Sequence, residues 1–465
     1  MQPHLRFIRL FEQITAADVA LVGGKTASLG EMYRALRPRG VSVPNGFAIT
    51  AEAYRHVLTR AHAWEELHAA LDGLRVDDVE DLARRGSRAR EIVYSAELPE
   101  ELKEEILGAY RALRREYGPD MSVAVRSSAT AEDLPTASFA GQQDSYLNVC
   151  GEDALLDACR RCFASLFTDR AIHYRVDVGF DHFKVALSIA VMKMVRADLA
   201  SSGVIFTLDT ESGFRDVVLI TGSYGLGENV VQGAVEPDEL LVFKPTLLAG
   251  HRAILRRSLG SKKLKMIYAP QGTREATCNI PTPQADRDRF CLSDEEALSL
   301  ADQAIEIERH YSARSGAPQP MDIEWAKDGL DQRLYIVQAR PVTGLAQKRG
   351  VALEEYVLGE KGRVLASGRA VGERIASGPV RLISSSAQAG EFQSGEVLVT
   401  DSTTPDWEPI MRRAAAIVTN RGGRTCHAAI VAREFGIPAV VGTENATQRL
   451  SSGQPVTVSC AEGDV

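Results

Sequence analysis

Between about Leu345 and Lys361 the apolar periodicity of this chain lapses, and beyond it a new series of short strands and one helix begins. The lapse reads as a linker with some helical propensity, after which the chain restarts. At 465 residues the chain also exceeds what one core ordinarily supports, and length alone suggests about two or three domains. The expected division is a larger domain over residues 1–345, a linker over 346–361 and a compact domain over 362–465.

The larger part mixes periods. EELKEEILGAYRALRREYG sets apolar residues at helical spacing and closes on Gly118 and Pro119. From Ser122 to about Val149, and again from Val185 to about Phe243, β-branched runs alternate with glycine-rich turns. EEALSLADQAIEIERHY predicts a helix, and MDIEWAKDGLDQRLYIVQARPV predicts a hairpin turning over Lys327 to Arg333. Past the linker PVRLI, EVLVT, AIVTN, AVVGT and PVTVSC read as strands and HAAIVAREF as a helix. The fold class is α+β, multi-domain, with a substantial antiparallel sheet.

Composition mostly excludes. Apolar residues at 45% and charged residues at 25% fit a folded globular chain. A net charge of −8 with scattered Lys and Arg argues against a nucleic-acid footprint. The one dense basic group, Arg252, Arg256, Arg257, Lys262, Lys263 and Lys265, lies beside an expected strand and reads as a solvated face. Seven irregularly placed cysteines give neither a disulfide framework nor a zinc pattern. Their one C-x-x-C pair, Cys159 and Cys162, sits in an apolar-periodic stretch and points to helix packing. No basic n-region followed by an apolar run opens the sequence, and no stretch of about 18 apolar residues occurs, so the expectation is a reduced, cytoplasmic protein without a membrane partner.

Four segments look built to handle phosphate. In GGKTASLGEM, Gly23, Gly24 and Lys25 precede a helix expected to begin around Thr26, where glycine backbone and a mobile cation can meet an anion. Val19 stands where a Walker A loop needs glycine, so this is no P-loop, and an ordinary turn is the competing reading. VAVRSSATAEDLPTASFAGQQDSYLNV runs a strand into Arg126 and then into a hydroxyl-rich loop ending at Gly141; its guanidinium suits a polyphosphate, or pairs with Glu132 or Asp133. On the hairpin, Asp322 and Glu324 share one strand face and Gln338 and Arg340 another. Oxygen ligands of that kind hold Mg²⁺ and nucleotide phosphates, unless the hairpin is simply salt-bridged at the surface. In TNRGGRTCHAAIVAREFGIPAVVG, His427 opens a helix closed by Gly436 and Pro438. An outward imidazole there suits a phosphohistidine, against a packed histidine or, with Cys426 beside it, a metal ligand.

Together these segments, with SVPNGFAIT, ASSGVIFTLDTESGF, GSYGLGENVVQGAVEPDE, MDIEWAKDG, IVQARP and TPDWEPIM, closely resemble the phosphoenolpyruvate synthases (pyruvate, water dikinases) along essentially the whole chain. The resemblance implies an ATP-grasp nucleotide domain followed by a smaller swivelling β/β/α phosphohistidine domain, with residues 346–361 as hinge. It implies a third domain, a barrel for pyruvate or phosphoenolpyruvate, which the sequence here lacks, so the chain is expected to be a piece of a longer enzyme that is a homodimer. It assigns Lys25, Arg126 and Arg340 to phosphate, Glu324 and Gln338 to Mg²⁺ and nucleotide, Glu228 and Asp322 to the same site, Gly141 and Ser145 to the loop over the phosphates, and Met192 to the adenine strand. His427 matches the acceptor and Thr425 the threonine modified by a regulatory kinase and phosphorylase. The implied reaction converts ATP, pyruvate and water into AMP, phosphoenolpyruvate and phosphate, with activity falling below about pH 6.5 as the imidazole protonates. Two other readings are an antibiotic phosphotransferase of the rifampicin type, and a non-catalytic phosphocarrier or nucleotide sensor.

Overall fold

The computed structural model describes residues 5–76, 78–130, 133–134, 137–138, 144–177, 179–269, 276–342, 356–360, 362–424 and 426–461. Most of the expected linker, along with Gly141 and Thr425, therefore lies outside the described residues. The chain forms two compact units, one from Met1–Val195, Tyr268–Thr277 and Tyr335–Ala339, the other from Arg196–Ile267, Cys278–Leu334 and Arg340–Val465.

In the first unit five strands, β1 (Ile8–Leu10), β2 (Gly46–Ile49), β3 (Val123–Ala129), β4 (Ser145–Val149) and β5 (Leu187–Lys193), form an antiparallel sheet in the order β1-β2-β5-β3-β4. β5 buries six successive residues, as expected of a central strand covered on both faces. Helices cover the sheet: one is Glu100–Tyr117, which packs against β1 and β2 and whose Leu102, Ile106, Ala109, Tyr110 and Leu113 recur at helical spacing and are buried. Another is Glu152–Ala164, where Cys159 and Cys162 are fully buried free thiols, so the C-x-x-C pair does serve helix packing.

The glycine-lysine segment is helical over a wider range than its sequence suggests. The helix α1 (Val19–Glu31) breaks at Gly23, where φ is 73° and ψ is 163°, and then resumes. A side chain at 23 would place Cβ 2.3 Å from the Ser128 carbonyl oxygen, so only glycine lets the chain pass β3. Ser128 Oγ in turn accepts from the Thr26 N–H at 3.1 Å, supplying from a strand 102 residues away the cap that a helix start needs.

A six-stranded sheet follows along the chain. Its strands are β6 (Ser201–Phe206), β7 (Val217–Tyr224), β8 (Asp238–Phe243), β9 (Ile254–Ser258), β10 (Met321–Lys327) and β11 (Leu334–Pro341), in the order β9-β8-β7-β6-β10-β11. The expected hairpin is present: Asp328 N–H donates to the Arg333 carbonyl at 2.9 Å, and Asp328 Oδ1 accepts from the Leu330 N–H at 2.9 Å, closing the turn. Met321, Ile323 and Trp325 are buried on one face of β10, which leaves Asp322 and Glu324 on the other. Trp325 anchors the register, its indole N–H donating to the Thr221 carbonyl at 3.0 Å and its ring packing where Gly222 has no side chain. Trp325→Ala is expected to destabilise the chain by about 3–5 kcal/mol in urea titration, the usual cost of emptying a buried indole site; a loss under about 1 kcal/mol would refute the anchor role.

One basic residue departs from its expected place. Lys262 is not on a solvated face with Arg256 and Arg257 but is fully buried, its Nζ 2.5 Å from Asp238 Oδ1 and also donating to the Gly260 carbonyl. A buried ammonium persists only with such a partner set, and Asp238 is held in place by the N–H groups of Gly260 and Cys291.

Beyond residue 362 lies a second six-stranded sheet. It comprises β12 (Arg369–Val371), β13 (Ile375–Leu382), β14 (Val397–Thr400), β15 (Ala416–Thr419), β16 (Ala439–Val441) and β17 (Pro455–Ser459), ordered β12-β16-β15-β14-β13-β17. The four inner strands are parallel and the two outer pairings antiparallel. A parallel step needs a crossover, and α2 (His427–Phe435) supplies the one between β15 and β16, burying Ala428, Ala429, Val431 and Ala432. Gly436, at φ 65°, ends it as expected. No helix among the described residues is long and apolar enough to cross a membrane.

Candidate active site

The first unit carries Lys25, Arg126, Ser145, Met192 and Gln338. Arg126 is the hub. It lies on β3 opposite Ser145 on β4, and its guanidinium donates to the Val337 carbonyl at 3.0 Å and to Gln338 Oε1 at 2.8 Å. The alternative partners Glu132 and Asp133 have no described side chains. Gln338 is 6% exposed, so its amide oxygen depends on that donor, yet an sp² oxygen keeps a second lone pair for a ligand. Half-buried Lys25 follows the Gly23 kink, and Met192 is a buried β5 residue facing Gly46 and Ala124 on its neighbouring strands.

The second unit carries Glu228, Asp322, Glu324, Arg340 and His427. Arg340 grips Asp322 from two nitrogens, Nε at 2.9 Å and Nη2 at 2.8 Å. With side-chain exposures of 27% and 13%, this is a sheltered pair rather than a surface salt bridge. Burial raises the Asp322 carboxyl above the usual carboxylate range; Arg340 opposes this and the neighbouring Glu324 adds to it. Glu228, half-buried, opens the short helix Glu228–Val231. Among the described residues no group of three His, Cys, Asp or Glu side chains could hold a metal alone, so a cation here would rely on nucleotide phosphates and water as well, the habit of Mg²⁺.

His427 differs from expectation in its surroundings. It does open α2, but it is half-buried rather than outward, and burial lowers its pKa to about 4. Its Nδ1 lies 3.1 Å from Thr403 Oγ1, and Thr403 is itself 2% exposed. Thr403 escaped sequence reading; its only signal was adjacency to the TPDWEPIM segment. Seven residues further along α2, and so on the same side of the helix, Glu434 has its carboxyl raised by burial and by Glu408, with Arg412 and Arg340 pulling it back.

The acid limb expected near pH 6.5 moves accordingly. A group with a folded pKa of about 4 stays neutral down to that pH and protonates only as pH falls through it. Ring ¹⁵N spectroscopy should give His427 a midpoint near 4, and a midpoint near the ordinary value of about 6.5 would show that the site does not desolvate it.

Two family models match this chain: the AMP/ATP-binding domain of pyruvate phosphate dikinase over residues 19–358, and the mobile domain of PEP-utilising enzymes over residues 392–463. The phosphoenolpyruvate synthase of Pseudomonas aeruginosa is 57% identical over 461 residues, covering 99% of this chain and 57% of that protein. The phosphoenolpyruvate synthase of Escherichia coli is 54% identical, covering 98% and 56%. A probable phosphoenolpyruvate synthase of Pyrococcus abyssi is 41% identical, covering 98% and 58%. The chain thus spans a little over half the length of these relatives.

Proposed function

We propose that this chain, which belongs to the pyruvate phosphate dikinase AMP/ATP-binding family, loads phosphate from ATP onto His427 as the first half of a phosphoenolpyruvate synthase reaction. The observation that carries the reading is the placement of the imidazole: it opens α2, is half-buried, and is tethered at Nδ1, 3.1 Å from Thr403 Oγ1.

In this reading Nδ1–H donates to Thr403 Oγ1, which leaves the Nε2 lone pair as nucleophile without a proton to remove. Nε2 attacks the β-phosphorus of ATP; the new N–P bond forms as the bond to the α,β-bridging oxygen breaks, and AMP leaves with that electron pair. Water then splits the γ-phosphate from the pyrophosphoryl group, giving inorganic phosphate and phosphohistidine. The protein contributes position and charge: Arg126, Lys25 and Arg340 neutralise phosphate oxygens, and the Gly23 kink brings backbone close to them. Glu324 and Gln338 are proposed as ligands of Mg²⁺, a hard cation that would supply further neutralisation of the polyphosphate. Residues 1–345 and 362–465 are proposed as the nucleotide and carrier domains, joined by a hinge at 346–361. Pyruvate is the proposed final acceptor, following the name its relatives carry.

The test is to incubate the chain with ATP labelled at the β-phosphate and Mg²⁺, then measure protein-bound label and AMP. Acid-labile label with AMP released in equal amount is expected. AMP without label, or binding without turnover, would contradict the reading.

A further inference from the structure

The turn between β6 and β7 holds an acid whose two oxygens are both committed to the region around His427. Glu211 Oε1 accepts from Arg433 of α2, and Glu211 Oε2 accepts from the Gly372 N–H at 3.1 Å. The other arm of the Arg433 guanidinium donates to the Arg424 carbonyl at 2.5 Å, three residues before His427. Arg433 thus ties the loop that precedes His427 and the helix that follows it to one carboxylate. The pair is sheltered, with side-chain exposures of 12% and 20%.

Two further contacts frame the same loop. Arg369 on β12 donates to Glu239 and, at 3.3 Å, to Glu236. Between these acids and the Glu228 helix, Gly233 adopts φ 70°, and a Cβ there would lie 2.5 Å from Cys426 Cβ. Cys426, immediately before His427, is 2% exposed. The bland reading is ordinary packing, since exposed ion pairs contribute little stability. Three features speak against it: both oxygens of Glu211 and both terminal arms of Arg433 are used, the pair is sheltered, and every contact ends within seven residues of His427 or on the strand edge beside it. Charge pairs of this kind fix orientation more than they add affinity.

We propose that Glu211 is a positioning residue for His427: acting through Arg433, it holds the helix start in the orientation from which the imidazole receives phosphate. The kinetic part of this proposal rests on the loading reaction above, while the geometric part does not. The variants are Glu211→Arg, Arg433→Glu and the double exchange, with two readouts. One is the rate of His427 labelling at saturating ATP, alongside nucleotide affinity. The other is alkylation of Cys426 by iodoacetamide in the absence of nucleotide, followed by peptide mass spectrometry.

Each single variant should label at least about tenfold more slowly with nucleotide affinity unchanged, and should alkylate faster at Cys426. The double exchange should label and alkylate at rates between those of the singles and of the unsubstituted chain, because it restores the pair with its charges reversed but neither the acceptor for the Gly372 N–H nor the donor to the Arg424 carbonyl. Cys426 reactivity indifferent to all three variants would overturn the proposal, as would a double exchange no better than the singles. If no variant and no unsubstituted chain takes label, yet Cys426 follows the expected pattern, the positioning geometry stands and the loading reaction falls.

Discussion

His427→Ala should take up no label from β-labelled ATP while binding the nucleotide within about twofold of the unsubstituted chain, a loss of at least about a thousandfold in loading. The asymmetry follows from where the imidazole sits. Its partner in the structure is Thr403, not Arg126 or Arg340, so removing it deletes the proposed nucleophile without disturbing the proposed phosphate-binding cations. The half-buried ring leaves only a modest void, and Thr403 can satisfy its hydroxyl elsewhere. His427→Gln is the companion variant: it keeps a polar group near Thr403 but has no nucleophilic nitrogen, and should be equally inert. Label persisting in either variant would place the acceptor on another side chain.

Arg126→Ala should lower loading by at least about a hundredfold and stability by about 1–3 kcal/mol, and the two effects have separate causes. The stability loss comes from Gln338, whose buried amide oxygen loses its charged donor, with the Val337 carbonyl losing another. The loading loss comes from the missing fork that would hold phosphate oxygens in line. Arg126→Lys separates them: it keeps a positive charge but cannot make two parallel contacts, so it should regain part of the stability and little of the rate. Equilibrium denaturation and single-turnover labelling measure the two independently. A variant that loses stability but loads at the normal rate would reduce Arg126 to a tie between strands.

Much of the local structure that carries the candidate site was legible in the sequence, because it is set by neighbours a few residues apart. The hairpin announced itself by alternation and a Gly-Asp turn, and the face carrying Asp322 and Glu324 followed from period two. α2 was bounded by Gly436, and the helix expected over EEALSLADQAIEIERHY is present as Asp294–Ser315. The C-x-x-C pair was correctly read as packing because its neighbours recur at helical spacing.

What eluded the sequence were facts about partners. Arg126 meets Val337 and Gln338 across more than two hundred positions, and Glu211 meets Arg433 across 222. Thr403 finds His427 across 24. Lys262 had the look of its exposed basic neighbours until Asp238 proved to be buried against it. The outward, ordinarily titrating His427 was an inference from a helix start alone, and desolvation by everything packed around that start changed it.

By itself, then, the sequence determined the elements, the faces they present and the residue types available at the candidate site, since propensity, capping and periodicity act over a few residues. Only the tertiary structure decided which arginine meets which acceptor, which charge is sheltered and how basic the imidazole is. Those depend on distance and dielectric between groups remote along the chain, and neither leaves a period to read.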